Sequence, residues 1–178
     1  MSGIKLEWKD EGWAQFMADL ERVGNAGLHV GIDEKDQHPS GRQTAAIAAW
    51  NEYGTEVNHQ GRPIPERPAF RTTVRREQPR LARRMAEAVK GVLGGRENLE
   101  GALQEIGDDL VQSLREAVQD WAVPPNAART IKRKGENNPL VETKHLQSAI
   151  QAKVDGAAKV DPRGRGSKLR DPLTGRFV

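Results

Sequence analysis

Apolar residues along the chain recur with two rhythms, one of two positions and one of three to four. Ile4, Leu6 and Trp8 alternate with polar residues, the period of a half-buried strand. Trp13, Phe16, Met17, Leu20 and Val23 then line one stripe of an amphipathic helix closed by Gly24 or Gly27. Leu28, Val30 and Ile32 alternate again, with Gly31 suggesting a close backbone approach. Residues 33–42 read as a polar loop or a hairpin tip. A short alanine-rich helix follows over Gln43 to Tyr53, with Ala46, Ile47, Trp50 and Tyr53 on one face and Gly54 as its stop. Three prolines and Gly61 make regular structure unlikely from Thr55 to Pro68.

Farther on, Ala69 to Val74 suggests a short strand, and Pro79 suits the first turn of a new helix. That helix has Leu81, Met85, Ala88, Val89 and Val92 as its stripe and ends at Gly94-Gly95. The strongest periodicity runs through Leu99, Leu103, Ile106, Leu110, Leu114, Ala117 and Trp121, with acids near its N-terminal end where the helix dipole favours them. Pro124-Pro125 should stop it. Asn126 to Asn138 is basic and turn-rich, and Leu140 to Val154 reads as a helix followed by a strand. No apolar period survives beyond Gly156. The expected organisation is an α+β domain over 1–155, followed by a basic Gly/Pro-rich tail over 156–178 that is flexible or ordered by a partner.

Composition narrows the chemistry. With 36% apolar and 30% charged residues, the core should be modest, which makes the four Trp the expected anchors. The chain has no Cys, which removes disulfides, thiolate metal sites and a Cys nucleophile. The first ten residues lack a signal-like apolar run, and no stretch approaches membrane-spanning length, so the expected place of synthesis is the cytoplasm without a membrane partner. Histidines 29, 38, 59 and 145 read as isolated, and no metal or cofactor motif is found. Asp108 and Asp109 are adjacent, so on a helix their side chains diverge. Nothing assembles an active site, and the chain is expected not to be an enzyme.

Charge is segregated. Arg62 to Arg96 carries ten bases against three acids, Glu97 to Val123 seven acids against one base, and Pro124 to Val178 twelve bases against five acids. Such blocks suit self-association or contact with a polyanion. Arg75, Arg76, Arg80, Arg83 and Arg84 form one candidate basic edge, and Lys132, Arg133 and Lys134 another. Arg75, Arg76, Lys132, Arg133 and Lys134 are the candidate DNA or partner contacts. Without interleaved aromatics, such contacts would be insensitive to base sequence.

Two segments carry a resemblance. One is Asn51-Glu52-Tyr53-Gly54-Thr55, preceded by Ala45 to Trp50 and followed by Ile64-Pro65-Glu66-Arg67-Pro68-Ala69-Phe70-Arg71. The other runs from Pro124-Pro125-Asn126 through Thr130-Ile131-Lys132-Arg133-Lys134-Gly135 to Pro139-Leu140-Val141-Glu142-Thr143-Lys144-His145-Leu146, followed by Ser148-Ala149-Ile150. Together they resemble the signature of tail-completion and head–tail joining (neck) proteins of tailed bacteriophages, the Mu-like virion morphogenesis type. The departures are Glu142 and Lys144, where that family usually has Asp and Gly.

The resemblance implies a small antiparallel sheet packed against two or three long amphipathic helices, with an extended C-terminal tail. It also implies a homo-oligomeric ring, a hexamer or dodecamer, that joins tail to head and leaves a channel for DNA. Its partners would be adjacent neck, portal-adaptor or tail-terminator proteins, together with packaged DNA bound without sequence specificity. Assembly would take place in the host cytoplasm, and the finished location would be the virion.

Trp50, Glu52, Tyr53, Arg67, Phe70 and Arg71 are then the subunit-interface candidates, since prolines hold the linker extended while Arg and Phe can anchor it on a neighbour. The competing reading of the same linker is a clamp within one chain. The competing function is that of a basic DNA-binding accessory protein of a phage or prophage.

Overall fold

The structure is a computed structural model that describes residues 11–56, 63–141 and 144–156. The expected strand at Ile4 to Trp8, His59, Glu142 and the tail beyond Gly156 lie outside the described residues. In chain order come α1 (Glu11–Asn25), β1 (Gly27–Ile32), α2 (Thr44–Tyr53), α3 (Ala69–Leu93), α4 (Leu99–Asp120), α5 (Ala128–Lys134), α6 (His145–Ser148) and β2 (Ile150–Asp155). The α+β class expected from the two periods is what is found.

The sheet joins the strand that follows α1 to the last element of the described chain. β1 and β2 pair antiparallel from Gly27 opposite Asp155 to Ile32 opposite Ile150. Alternation aims Leu28, Val30 and Ile32 toward one face, together with Ile150, Ala152 and Val154. Helix α4 lies across that face. Its Asn98 cap accepts from the N–H groups of Glu100 and Gly101. Its buried stripe is Leu99, Leu103, Ile106, Gly107, Val111, Leu114 and Val118. The expected stripe is right at its N-terminal end. Farther along, the expected Leu114 is buried beside Val111 and Val118, with Leu110 and Trp121 packed at the margin.

The close approach expected at Gly31 occurs elsewhere. A side chain at Gly31 would meet nothing, because Gly31 faces away from α4. A Cβ at Gly107 would instead stand 2.7 Å from the Ala152 Cβ and 2.8 Å from Leu28 Cδ1. Gly107 therefore sets how closely helix and sheet approach.

Three expectations fail for physical reasons. Ala69 to Val74 is the start of α3, not a strand, because a cap supplied from α2 nucleates helix there. Pro79 consequently sits inside α3 rather than at its start. Its ring forfeits one backbone bond on an exposed face, a cost that the packing of α3 on α4 offsets. Asn126 to Asn138 contains the seven-residue α5, stopped by Gly135 in the left-handed region at φ 81°.

Helix α1 forms as expected but lies the other way over. Asp19 is buried and receives Gln15 and Arg22 at 2.9 and 3.0 Å, whereas Trp13, Met17 and Leu20 are 63, 45 and 43% exposed. From that stripe Val23 packs on the small cluster of Val92, Leu99 and Leu103. Trp13 is thus no core anchor. It stacks on Phe16 at 5.7 Å on the outside.

Candidate functional site

The two signature segments, far apart in sequence, meet in one junction. At the end of α2, the Glu52 carboxylate is buried and accepts from the N–H groups of Phe70 at 3.0 Å and Arg71 at 2.8 Å. The Ala69 N–H bonds the Arg67 carbonyl at 2.8 Å, and the Thr72 N–H bonds the Pro68 carbonyl at 3.2 Å. All the orphan donors of the first turn of α3 are thereby satisfied, although its own cap residue Pro68 offers no side-chain bond. A carboxylate also suits the positive end of the helix dipole.

The neighbouring motif residues hold this cap in place. The Asn51 carbonyl accepts the Arg67 N–H at 2.6 Å, and Thr55 pairs with Ile64 through reciprocal backbone bonds of 2.9 and 3.1 Å. Gly54, at φ 70°, lets the chain pass, since a Cβ there would sit 2.9 Å from the Ile64 carbonyl oxygen. Arg67 is buried. Its Nε donates to the Pro124 carbonyl at 3.1 Å and its Nη2 to the Pro125 carbonyl at 3.4 Å, which ties the first segment to the second. Desolvation lowers its pKa.

The linker is therefore an intrachain clamp. Glu52 and Arg67 are engaged inside one copy, and Phe70 is packed against the core. Arg71 pairs with Glu66 and lies 5.3 Å over the Tyr53 ring. Tyr53 is on the outside, opposite the buried Glu52, so the apolar face read for α2 is not the one buried. Trp50 is half-buried, with the Arg42 guanidinium 5.5 Å from its ring.

In the second segment, Lys134 donates to the carbonyls of Asn138, at 2.6 Å, and Val141, so this candidate DNA contact is used within its own turn. Arg76 pairs with Glu77 at 3.1 Å. Arg80, at 2.7 Å, and Arg84 both reach Asp109 on α4. Asp108 turns away to accept from Gln104, so the two adjacent acids diverge as expected. Basic α3 and acidic α4 therefore satisfy each other in part within one chain. Arg75, Lys132 and Arg133 remain exposed.

A cluster invisible in the sequence closes the other side of the junction. His145 Nε2 lies 2.9 Å from the Asp36 carboxylate across 109 residues, and the His38 and His145 rings meet edge to face at 5.5 Å. Neither histidine is isolated. No group able to hold a metal occurs among the described residues. Asp36 lies beside the Thr44 hydroxyl and the His145 imidazole, which hold its carboxyl below the usual carboxylate range.

A depressed carboxyl contributes stability that is present above its ordinary value of 3.8 and is lost as pH falls through the folded value. Asp36→Asn should therefore lower the urea midpoint at neutral pH and flatten its decline between about pH 5 and pH 3. Parallel midpoint curves for the two proteins would refute this role.

Between this cluster and α2 lies a cleft of about 410 Å³, with Trp50, Ile64 and Asn51 on one side and Pro139, Leu140 and Lys144 on the other. Both signature segments line it. The chain matches no protein-family model, and it matches neither a curated protein nor a solved structure. No described helix is long and apolar enough to cross a membrane.

Proposed function

We propose that the chain is a non-enzymatic structural subunit of a tailed-phage neck or tail-completion ring. One observation carries the assembly part of this reading. Trp13, Met17 and Leu20 form a single exposed apolar stripe on α1, extended by the stacked Phe16, while the polar side of that helix turns inward. Contiguous apolar surface of this kind on a charged protein serves association. The grip on a neighbour then belongs to α1, because the proline-bounded linker clamps its own chain.

The location within a virion is supported by the two signature segments. Residues of both segments meet in one junction, where Arg67 of the first donates to the Pro124 and Pro125 carbonyls of the second. The DNA-binding alternative loses support from the pairing of Arg76, Arg80, Arg84 and Lys134 inside the chain.

The test is complementation of a phage that lacks this gene. The null should give filled heads and separate tails, and supplying the native chain should join them. The double variant Trp13→Ser/Met17→Ser changes exposed positions, so its stability should stay within about 0.5 kcal/mol for each site. It should nevertheless leave heads and tails apart. Infectious particles from the null would overturn the neck reading, and full rescue by the folded double variant would overturn the role of α1.

A further inference from the structure

The cleft between α2 and the residues Pro139, Leu140, Lys144 and Leu146 has an uneven chemistry. Trp50, Ile47, Ile64, Leu140 and Leu146 supply its apolar lining, and the charged described side chains that line it are Arg42 and Lys144. No described carboxylate lines it. Asp36, on the loop that carries His38, is engaged by His145 at 2.9 Å. Arg42 and Lys144 meet no carboxylate among the described residues. Lys144 is also the one described non-glycine residue with a positive φ, at 59°. Strain of that kind is kept where the surroundings hold it, and it is concentrated at sites that clamp ligands.

We propose that this cleft receives an extended acidic peptide segment of a neighbouring virion subunit. Its carboxylates would meet Arg42 and Lys144, and an apolar side chain would lie against Trp50 and Leu140. A volume of about 410 Å³ has room for one side chain and the backbone on either side of it. Charge complementarity selects the acid. A nucleic acid fits less well, because Arg42 covers one face of the Trp50 ring at 5.5 Å and no other described Trp, Tyr or Phe lines the cleft for successive bases to stack on. The proposal rests on the structural-subunit reading for the source of the peptide, not for the binding itself.

Calorimetry on the full chain tests it, using an acetylated and amidated pentapeptide of alternating Glu and Leu and its counterpart with Gln for Glu. The acidic peptide should bind about tenfold more tightly than the amide. Arg42→Gln and Lys144→Gly should each weaken the acidic peptide by about fivefold, the effect of a partly exposed ion pair. Lys144→Gly should fold at least as well as the native chain, because glycine accepts the positive φ without strain. Arg75→Gln, an exposed arginine on α3, should leave binding unchanged.

Equal affinity for the two peptides, binding of neither, or an Arg75→Gln loss as large as that of Arg42→Gln would each overturn the proposal. So would Arg42-dependent binding of a single-stranded oligothymidylate in place of the acidic peptide. The measurement uses the isolated chain. Peptide binding by a chain that is dispensable for head–tail joining would sink the neck reading alone, and a joining-competent chain with an inert cleft would sink this proposal alone.

Discussion

Replacing Glu52 with Ala should destabilise the fold by about 3 kcal/mol, a lost helix cap plus two hydrogen bonds to a charged acceptor. Glu52 is only 6% exposed, and both its oxygens are used, at 3.0 and 2.8 Å, by the Phe70 and Arg71 N–H groups. Truncation leaves those donors facing a protein interior with no substitute, because Pro68 supplies no side-chain cap. For a domain of this size, that loss corresponds to a fall in Tm of roughly 9 °C. Glu52→Gln keeps one carbonyl acceptor and should lose about half as much. Urea unfolding followed by far-UV circular dichroism measures both. An Ala variant within about 0.5 kcal/mol of the native chain would show that the cap is not what starts α3.

Gly107→Leu should be at least as damaging, at about 3 kcal/mol or more. Even the first carbon of a side chain there would stand 2.7 Å from the Ala152 Cβ and 2.8 Å from Leu28 Cδ1, inside van der Waals contact. A whole isobutyl group would wedge α4 away from both strands and expose the stripe around Leu103 and Ile106. Gly107→Ala is the informative partner. Its gain in helix propensity, about 1 kcal/mol, is outweighed by the clash with the backbone-anchored Ala152 Cβ, so it should destabilise, but by less than Leu. If Leu were tolerated as well as Ala at equal urea midpoint, helix and sheet would not be in the close register described. Gly101, on the same helix and with nothing near its missing Cβ, provides the control.

Several elements were legible before any coordinates because local pattern and burial agree in them. The period-two run of Leu28, Val30 and Ile32 is β1, and Leu99, Leu103, Ile106 and Leu114 are core positions of α4. Gly54, at φ 70°, and Gly95, at φ 66°, follow the ends of α2 and α3 as glycine chemistry predicts. The first turns of α3 were illegible for a specific reason. Thr72, Thr73 and Val74 favour strand, and the residue that overrides them, Glu52, arrives from another helix. The outward face of α1 was illegible too. A hydrophobic stripe shows that a helix has an apolar side, but not whether its own chain covers that side.

The candidate site divides the same way. The residues of the two signature segments were identifiable, and their proline-bounded linker allowed either a grip on a neighbour or a clamp within the chain. The clamp is what forms, since Arg67 finds the Pro124 and Pro125 carbonyls of its own chain. Asp36, His38 and His145 had no local signal, because pairs separated by a hundred residues have no spacing to read.

What the amino-acid order determined alone is the type and extent of the elements whose period and stop residues agree, together with the alternation of charge along the chain. Tertiary structure decided how those elements are spent: which face of α1 remains outside, which arginines are neutralised by α4, where Pro79 falls in a helix, and which glycine lets helix meet sheet. The physical reason is one of range. Periodicity and capping act over a few residues, whereas desolvation, close packing and the satisfaction of buried donors depend on groups that only folding brings together.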